Sequence, residues 1–285
     1  MVGSRRWLLL LLLTVLADLP ACDQSLEIGR MFAPSIDAGA SVSDVGSAAD
    51  AGVAIADSGA PDAMEAPDAG ILWFSGFETG DTSEWSAGGA SAGGENDHLV
   101  TASVSPQPAH GGAQAWHISF DTADKVDHGA QVYRRVESGP AYYGAWFLID
   151  QPHTPTTFWT VFSFFYEDQA GNSQARHGLW DLNLNSQIVY FYNEITKQFQ
   201  DASPRQSYLV GQWFHLEARF AYEAGHIGHL TVWLDGVQIL DLSNLAAAPT
   251  DYLYWAVGSE TDSLAPTACT VSIDDATIST GRIGP

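Results

Sequence analysis

The stretch GQWFHLEARFAYEAGHIGHLTVWLDGVQILDL, residues 211–242, decides the predicted fold because its apolar residues recur at every second position. Its first part alternates two sets of side chains, namely Phe214, Leu216, Ala218 and Phe220 against Trp213, His215, Glu217 and Arg219. A period of two places successive side chains on opposite faces of a strand, so we expect one buried face and one solvated face. The pattern resumes with Leu230, Val232 and Leu234 facing inward after a turn near residues 224–228. Asp235-Gly236 then predicts a tight hairpin, because Gly tolerates a positive φ and Asp tolerates the left-handed region.

The chain from Ile71 to Pro285 repeats this pattern in about a dozen short segments separated by Gly, Pro, Asn and Asp. Helical periodicity is absent there. Only 16% of the 285 residues are charged, whereas Trp, Tyr and Phe number 10, 10 and 13, which favours strands packed with aromatic side chains. We therefore predict one all-β domain over residues 71–285, an antiparallel sandwich of two sheets.

The N-terminal residues predict export. Arg5 and Arg6 precede an apolar run from Trp7 to Ala17, which is too short for a membrane span and is typical of a signal peptide over residues 1–21. Leu19-Pro20-Ala21-Cys22 resembles the lipobox of bacterial lipoproteins, in which the cysteine carries the lipid. This resemblance implies a lipidated Cys22 and an exported, membrane-anchored protein of a bacterial cell envelope. The alternative is ordinary cleavage near Ala21 with a free Cys22.

Residues 22–70 predict a disordered tether rich in Asp, Ala and Gly. Residues 23–70 contain nine acidic residues against one basic residue, Arg30, and few apolar side chains to offset the entropy of ordering.

Charge also limits the partners. The whole chain has a formal net charge of -23 with only 11 Lys and Arg, so we expect no nucleic-acid partner, because phosphate binding needs clustered basic residues. The predicted domain alone has a net charge of -16. A polyanionic substrate would be repelled, so a neutral polysaccharide is the expected glycan.

Three segments of the domain resemble the concanavalin A-like jelly rolls. They are Phe77-Glu78-Thr79-Gly80-Asp81 with Trp85, the stretch Gly211 to Gly236, and the closing Val271-Ser272-Ile273-Asp274-Asp275-Ala276-Thr277-Ile278. The pattern is most similar to laminin-G-like domains and to polysaccharide lyases of the heparin lyase I and alginate lyase type. The resemblance implies a two-sheet jelly roll with a glycan groove on one sheet.

Some members of this fold hold a structural calcium where the first and last strands meet. The matching positions here are Glu78 and Asp81 with Asp274 and Asp275, and carboxylate oxygens are the ligands that calcium prefers. The alternative is that these acids only cap turns. No organic cofactor is expected.

Two predicted strands carry the polar residues of a candidate glycan site. Amides and carboxylates bond sugar hydroxyls, while aromatic rings stack on sugar C–H groups. The first strand offers Gln131, Tyr133, Arg135 and Glu137 on one face, and the second offers His177, Asp181, Asn183 and Asn185. Carbohydrate binding without catalysis is therefore the first functional hypothesis.

A polysaccharide lyase is the alternative. β-Elimination on a uronate needs a base and an acid beside a group that neutralises the carboxylate, and His177, Tyr190 and Arg135 provide that set if they converge. Glycoside hydrolysis is disfavoured, because Asp181-x-Asn183-x-Asn185 holds one ionisable carboxylate where a pair is needed. A non-catalytic scaffold that binds a protein is a third hypothesis. Cys269 is expected to be a buried free thiol.

Overall fold

The structure is a computed structural model that describes residues 70–86, 92–95, 98–137, 139–169, 176–221, 228–246, 250 and 252–285. The predicted signal peptide, Cys22, the tether and the turn at 224–228 lie outside these residues, apart from Gly70 and Gly228. The single helix in the described part of the chain is the short α1, Ser83–Ser86, and it is not long and apolar enough to cross a membrane.

The first eight strands are β1 Ile71–Ser75, β2 Ala92–Glu95, β3 Thr101–Ser105, β4 Ala115–Asp121, β5 His128–Arg135, β6 Ala141–Ile149, β7 Thr154–Pro155 and β8 Thr160–Glu167. The next nine are β9 Arg176–Asn185, β10 Ile188–Asn193, β11 Gln198–Asp201, β12 Trp213–Ala221, β13 Gly228–Leu234, β14 Val237–Leu245, β15 Leu253–Thr261, β16 Leu264–Ala265 and β17 Ala268–Ser279.

These strands form two antiparallel sheets and a short two-stranded ribbon of β16 with β7. Sheet A has the order β14-β13-β12-β6-β17-β4-β3, and β1 pairs with the end of β17 beyond β4. Sheet B has the order β11-β10-β9-β8-β15-β5-β2. Strands distant in sequence are neighbours in both sheets, as the predicted jelly-roll sandwich requires, and the all-β prediction is confirmed.

The core lies between the two sheets and is formed by the predicted inward-facing residues. Phe214, Leu216, Ala218 and Phe220 of β12 are at most 1% exposed, and they join Trp116, Trp159, Trp180 and Trp255 in one apolar cluster. The Asp235-Gly236 hairpin is confirmed: both residues have positive φ, 47° and 78°, as a two-residue hairpin turn demands.

The opposite face of β12 differs from the prediction of a solvated surface. His215 and Glu217 are 1% and 0% exposed. The chain end at residues 281–285 lies over them, with Arg282 Nε bonded to both Glu217 carboxylate oxygens at 3.0 and 2.9 Å. The backbone N–H of Ile283 donates to the same carboxylate at 2.9 Å. The outer face of sheet A is therefore covered at this position by the chain's own C-terminal segment.

Candidate functional site

The outer face of sheet B, away from the core, carries the polar and aromatic residues predicted to bind a ligand. Tyr133 of β5, Phe165 of β8 and Tyr254 of β15 form a second apolar cluster there, separate from the main core. Phe165 and Tyr254 stack with centroids 5.2 Å apart, and the Tyr133 ring meets both of them edge-on at 5.4 and 5.8 Å. We call this side of the sheet the sheet-B face.

Arg176 lies on this aromatic cluster. Its guanidinium carbon is 4.1 Å from the centre of the Phe165 ring and 4.4 Å from that of Tyr133, a geometry in which the ring faces attract the cation. Its Nε is buried without a hydrogen-bond partner, and the charge of Arg176 lowers the pKa of the nearby Glu260 carboxyl group. The Arg176 guanidinium on the sheet-B face thus rests on aromatic rings and also acts on the Glu260 carboxyl group.

A β-bulge determines which residues of β9 reach this face. Between Phe164 and Phe165 the pairing skips from Trp180 to Gly178, leaving Leu179 as the extra residue. Because of this extra residue, the alternation of β9 side chains between the two faces of the sheet shifts by one position. Asp181 and Asn183 lie on the sheet-B face, as predicted, but on the other side of the bulge it is Arg176 that shares the face.

His177 consequently points to the opposite side of sheet B, which corrects the predicted grouping. It pairs with Tyr166 and stacks on that ring at 4.9 Å, and its Nε2 lies 3.3 Å from Asp168 Oδ1. Its side chain is 46% exposed. The structure therefore does not bring His177 together with Tyr190 and Arg135, the set on which the predicted lyase depends.

Three carboxyl groups gather on the sheet-B face. Asp181 is hydrogen bonded to Glu194, and Glu260 Oε2 accepts a hydrogen bond of 2.9 Å from Gln131 Nε2. Gly178 leaves space for Glu194, since a Cβ at this position would lie 2.6 Å from Glu194 Cγ. A hydrogen bond between two carboxyl groups requires a proton on one of them. The raised pKa of Asp181 identifies Asp181 as the carboxyl group that holds this proton.

Burial explains the protonation. It raises the pKa of Asp181 well above its ordinary value, and the bond to Glu194 and the charges of Glu194 and Glu260 add to this. Burial, with Asp127 as the next cause, raises the pKa of Glu260 to about 7. Burial likewise raises the pKa of the Tyr190 phenol, so Tyr190 is neutral at neutral pH.

An accessible aromatic platform continues the face at its β11 edge. Tyr192, which pairs with Asp181, stacks on Phe199 with centroids 4.4 Å apart and an interplanar angle of 30°. Phe199 is 53% exposed. Lys197 Nζ lies 5.9 Å from the Tyr192 ring centre and bonds Glu194 Oε2 at 2.6 Å, which ties the platform to the carboxyl pair.

The remaining predicted ligand residues lie at the margins of the face. Arg135 is 5.6 Å from the Tyr252 ring centre, and Glu137 lies beyond the end of β5, where its N–H donates to the Tyr143 hydroxyl at 3.0 Å. Asn183 is buried and its Oδ1 accepts a bond from Thr160 at 2.8 Å. Asn185 is the last residue of β9 and its Oδ1 accepts a bond from Ser186. Their roles in binding stay predictions.

The predicted calcium residues border the loop at residues 110–114, beside β17. Glu78 Oε1 accepts the N–H groups of Ala113 and Gln114 at 2.7 and 3.0 Å. Asp274 Oδ2 accepts those of His110 and Gly111 at 2.8 and 3.1 Å. These two acids thus hold opposite ends of one loop.

The other two predicted calcium residues also have protein partners. Asp81 caps the N–H of Ser83 at 2.9 Å, and Asp275 bonds His110 Nδ1 at 2.7 Å. Burial raises the pKa of Asp274, the neighbouring acid, to about 6. Calcium binding by the four acids stays a prediction.

The site also contains residues that the sequence did not predict. Arg176 is the first residue of β9, and Glu260 is the last residue but one of β15. Glu194 directly follows β10. The sequence does show a charged residue near the end of each of these strands. It shows neither the bulge in β9 nor the fact that β9, β10 and β15 bring these three residues to one face.

Comparison with known proteins agrees with the fold. No protein-family model matches the chain, and no curated protein matches it in sequence. Among solved structures, an endo-β-1,4-glucuronan lyase from the fungus Trichoderma reesei is similar with a TM-score of 0.56 and 12% identity, covering 74% of this chain and 95% of that one. The cellulose induced protein Cip1 is similar with a TM-score of 0.53 and 15% identity, covering 74% and 99%. The predicted resemblance to the concanavalin A-like and lyase-like sandwiches is confirmed at the level of the fold.

Proposed function

We propose that the sheet-B face binds a polysaccharide chain. The observation that carries this proposal is the placement, on one face, of the Tyr192–Phe199 platform beside the Asp181–Glu194 pair and Arg176. An exposed aromatic stack offers an apolar surface to the C–H groups of a sugar ring. The neighbouring carboxyl and guanidinium groups offer hydrogen-bond acceptors and donors to its hydroxyls.

The charge of the face favours a neutral glycan. The proton held by Asp181 and the cation on Arg176 offset part of the acidity of this face, while the predicted domain has a net charge of -16. A long polyanion would meet repulsion over the rest of the surface. The two similar structures, a lyase of a glucuronan and a cellulose induced protein, support a carbohydrate as the ligand class.

Binding is tested by affinity electrophoresis and calorimetry on a panel of soluble neutral glucans and polyuronates. Phe199→Ala is expected to weaken binding about 3- to 10-fold, the loss of one aromatic contact. The matched control is Phe74→Ala in β1, because Phe74 is 50% exposed but lies on sheet A. Retention of full affinity in Phe199→Ala would contradict the proposal. A protein that retains no glycan of either class would favour the protein-binding scaffold.

Uronate β-elimination is the second candidate, with residues other than those predicted. Arg176 is a cation on the sheet-B face, and such a group can neutralise a uronate carboxylate. Tyr190 is a neutral phenol on β10 beside Asn183 and near the Asp181 carboxyl, so it can donate a proton to the leaving glycosidic oxygen. The Glu194 carboxylate, which accepts a hydrogen bond from Lys197, can take the proton that leaves the carbon beside the uronate carboxylate. The test follows the ultraviolet absorbance of unsaturated uronate ends. Activity that survives His177→Ala but not Tyr190→Phe supports this assignment, and no product from any polyuronate rules it out.

We also propose that Cys22 anchors the domain to a membrane of the cell envelope through residues 23–70. The lipobox-like Leu19-Pro20-Ala21-Cys22 supports this proposal. Metabolic labelling with a fatty acid tests it. Label on the wild type that is lost in Cys22→Ala is the expected result, and an unlabelled protein in the medium would contradict it.

A further inference from the structure

A group of three metal-ligating side chains lies at one end of the sandwich, apart from the sheet-B face. Asp150 follows β6, His153 precedes β7, and Cys269 is the second residue of β17. The N–H of Asp150 donates to Thr270 O at 3.3 Å, and Gln151 Nε2 donates to Ala268 O at 3.0 Å, which holds this segment against β17. One ligand atom from each of the three side chains lies within 4.8 Å of the other two.

The hydrogen bonds of His153 determine its tautomer. Nδ1 lies 2.9 Å from Pro266 O, and because a carbonyl oxygen only accepts, Nδ1 must carry a proton. In a neutral imidazole Nε2 then presents a lone pair, and this lone pair faces Asp150 Oδ1 at 3.2 Å, which is also an acceptor. His153 is 1% exposed. Nε2 and Asp150 Oδ1 are thus two acceptor atoms at a distance typical of neighbouring ligands of one metal ion.

The third side chain of the group adds a sulfur ligand. The Cys269 sulfur is 3% exposed and free of a disulfide, and it lies within 4.8 Å of the other two ligand atoms. A nitrogen, an oxygen and a sulfur around one point form a ligand set typical of zinc. Zinc bonds to N and O are about 2.0–2.1 Å, so the edge of a tetrahedron between them is about 3.3 Å, close to the observed 3.2 Å.

We propose that Asp150 Oδ1, His153 Nε2 and Cys269 Sγ bind a zinc ion. The bond from Nδ1 to Pro266 O is the outer contact that commonly orients a zinc-bound imidazole. The Asp150 side chain is 40% exposed, so solvent reaches this side of the proposed site. The site joins the end of β6, the start of β7 and β17. It differs from the predicted calcium residues, whose donors are all oxygen, and it is independent of glycan binding.

Cobalt substitution tests the proposal on the full chain. After treatment with a chelator, addition of Co²⁺ is expected to give one equivalent of tetrahedral visible absorption together with a thiolate-to-cobalt charge-transfer band in the near ultraviolet, both displaced by Zn²⁺. Calorimetry with Zn²⁺ should give one site, and zinc should raise the thermal midpoint of the wild type.

Substitutions test which side chains bind the metal ion. Cys269→Ala is expected to abolish the charge-transfer band, and Asp150→Asn to weaken zinc by more than the roughly 10- to 100-fold loss typical of an outer-shell partner. The matched control is His98→Ala, because His98, Asp127 and Glu260 also bring ligand atoms within 4.8 Å of one another. It should leave the cobalt spectrum unchanged. Absence of a thiolate band in the wild type, or loss of the spectrum in His98→Ala with retention in Cys269→Ala, would overturn the proposal without reference to the folding of any variant.

Discussion

The outer faces of the two sheets hold similar kinds of side chain but satisfy them differently. On sheet A the buried acid Glu217 is bonded by Arg282 and by the Ile283 N–H, and Arg282 also lies 4.1 Å from the Trp233 ring centre. On sheet B the acid Asp181 is bonded by another acid, and Arg176 rests on aromatic rings. An acid that is neutralised by an internal base has no need of a ligand. The comparison therefore favours a candidate binding site on sheet B. On sheet A, the C-terminal segment at residues 281–285 covers the face, which we call the sealed face.

Loss of the Glu217 carboxylate should have the largest effect on stability. Glu217→Ala leaves the Arg282 guanidinium and the Ile283 N–H without their acceptor. Breaking a buried ion pair costs about 3–5 kcal/mol, and we expect about 2–4 kcal/mol because Arg282 is 35% exposed. Urea unfolding measures it. Asp201→Ala, which removes an exposed acid paired with Arg205, is the control and should change little. An equal loss in both variants would show that sheet A is not sealed by this contact.

His215 should make the sealed face sensitive to acid. Burial, with the charges of Arg282 and His110 as lesser causes, lowers its pKa to about 4 from an ordinary value near 6.5. The unfolded chain therefore binds a proton between these values while the folded chain does not, so stability falls as the pH drops from about 6.5 to about 4. The predicted loss is about 2–3 kcal/mol.

His215→Phe isolates this contribution, because both ring nitrogens are buried without a partner and an apolar ring leaves no donor unpaired. The measurement is the difference between the unfolding free energies of wild type and variant from pH 7 to pH 4. A difference that does not change with pH would show that His215 is not buried in its neutral form.

Glu260 should behave in the opposite sense. Its pKa is raised to about 7, so the folded chain keeps a proton that the unfolded chain releases above about 4.5. Stability is therefore lost as the pH rises from about 4.5 to about 7. Glu260→Gln retains a polar group beside Gln131 and removes this titration, so the variant should be more stable than the wild type by about 1–2 kcal/mol at pH 8 and equal to it near pH 4. A destabilised variant at pH 8 would mean that the attraction between Arg176 and the ionised carboxylate outweighs the cost of burying that charge.

The sequence predicted the strands better than it predicted which side chains lie on the outer faces of the two sheets and how they are bonded there. Alternation in β12 identified Phe214 to Phe220 as the core side, because burial between two sheets acts on every second residue alike. The burial of Glu217 depends on Arg282, 65 residues later, and no local pattern contains that contact. Arg176 lies on the sheet-B face in place of His177 because β9 contains one extra residue, and the side chains on the far side of that residue lie on the opposite face from the one predicted.

Two glycines, one beneath each face, give the finest test of the comparison. A Cβ at Gly144 on β6 would lie 2.8 Å from His215 Nε2 and 3.0 Å from Ile283 Cδ1, so Gly144→Ala must displace the segment that covers sheet A. A Cβ at Gly178 would meet the Glu194 side chain, which is 26% exposed and can move into solvent. Overpacking a fixed contact costs about 1–3 kcal/mol, so Gly144→Ala should lose about 1 kcal/mol or more, whereas Gly178→Ala should lose less than about 0.5 kcal/mol.

The glycan measurement should reverse this order, because Gly178→Ala moves Glu194 away from Asp181 and changes the proposed binding surface. Gly144→Ala should bind glycan as the wild type does. If Gly178→Ala instead lost the greater stability and kept full affinity, the carboxyl pair on sheet B would be as structural as Glu217, and the distinction between a sealed face and a binding face would fail.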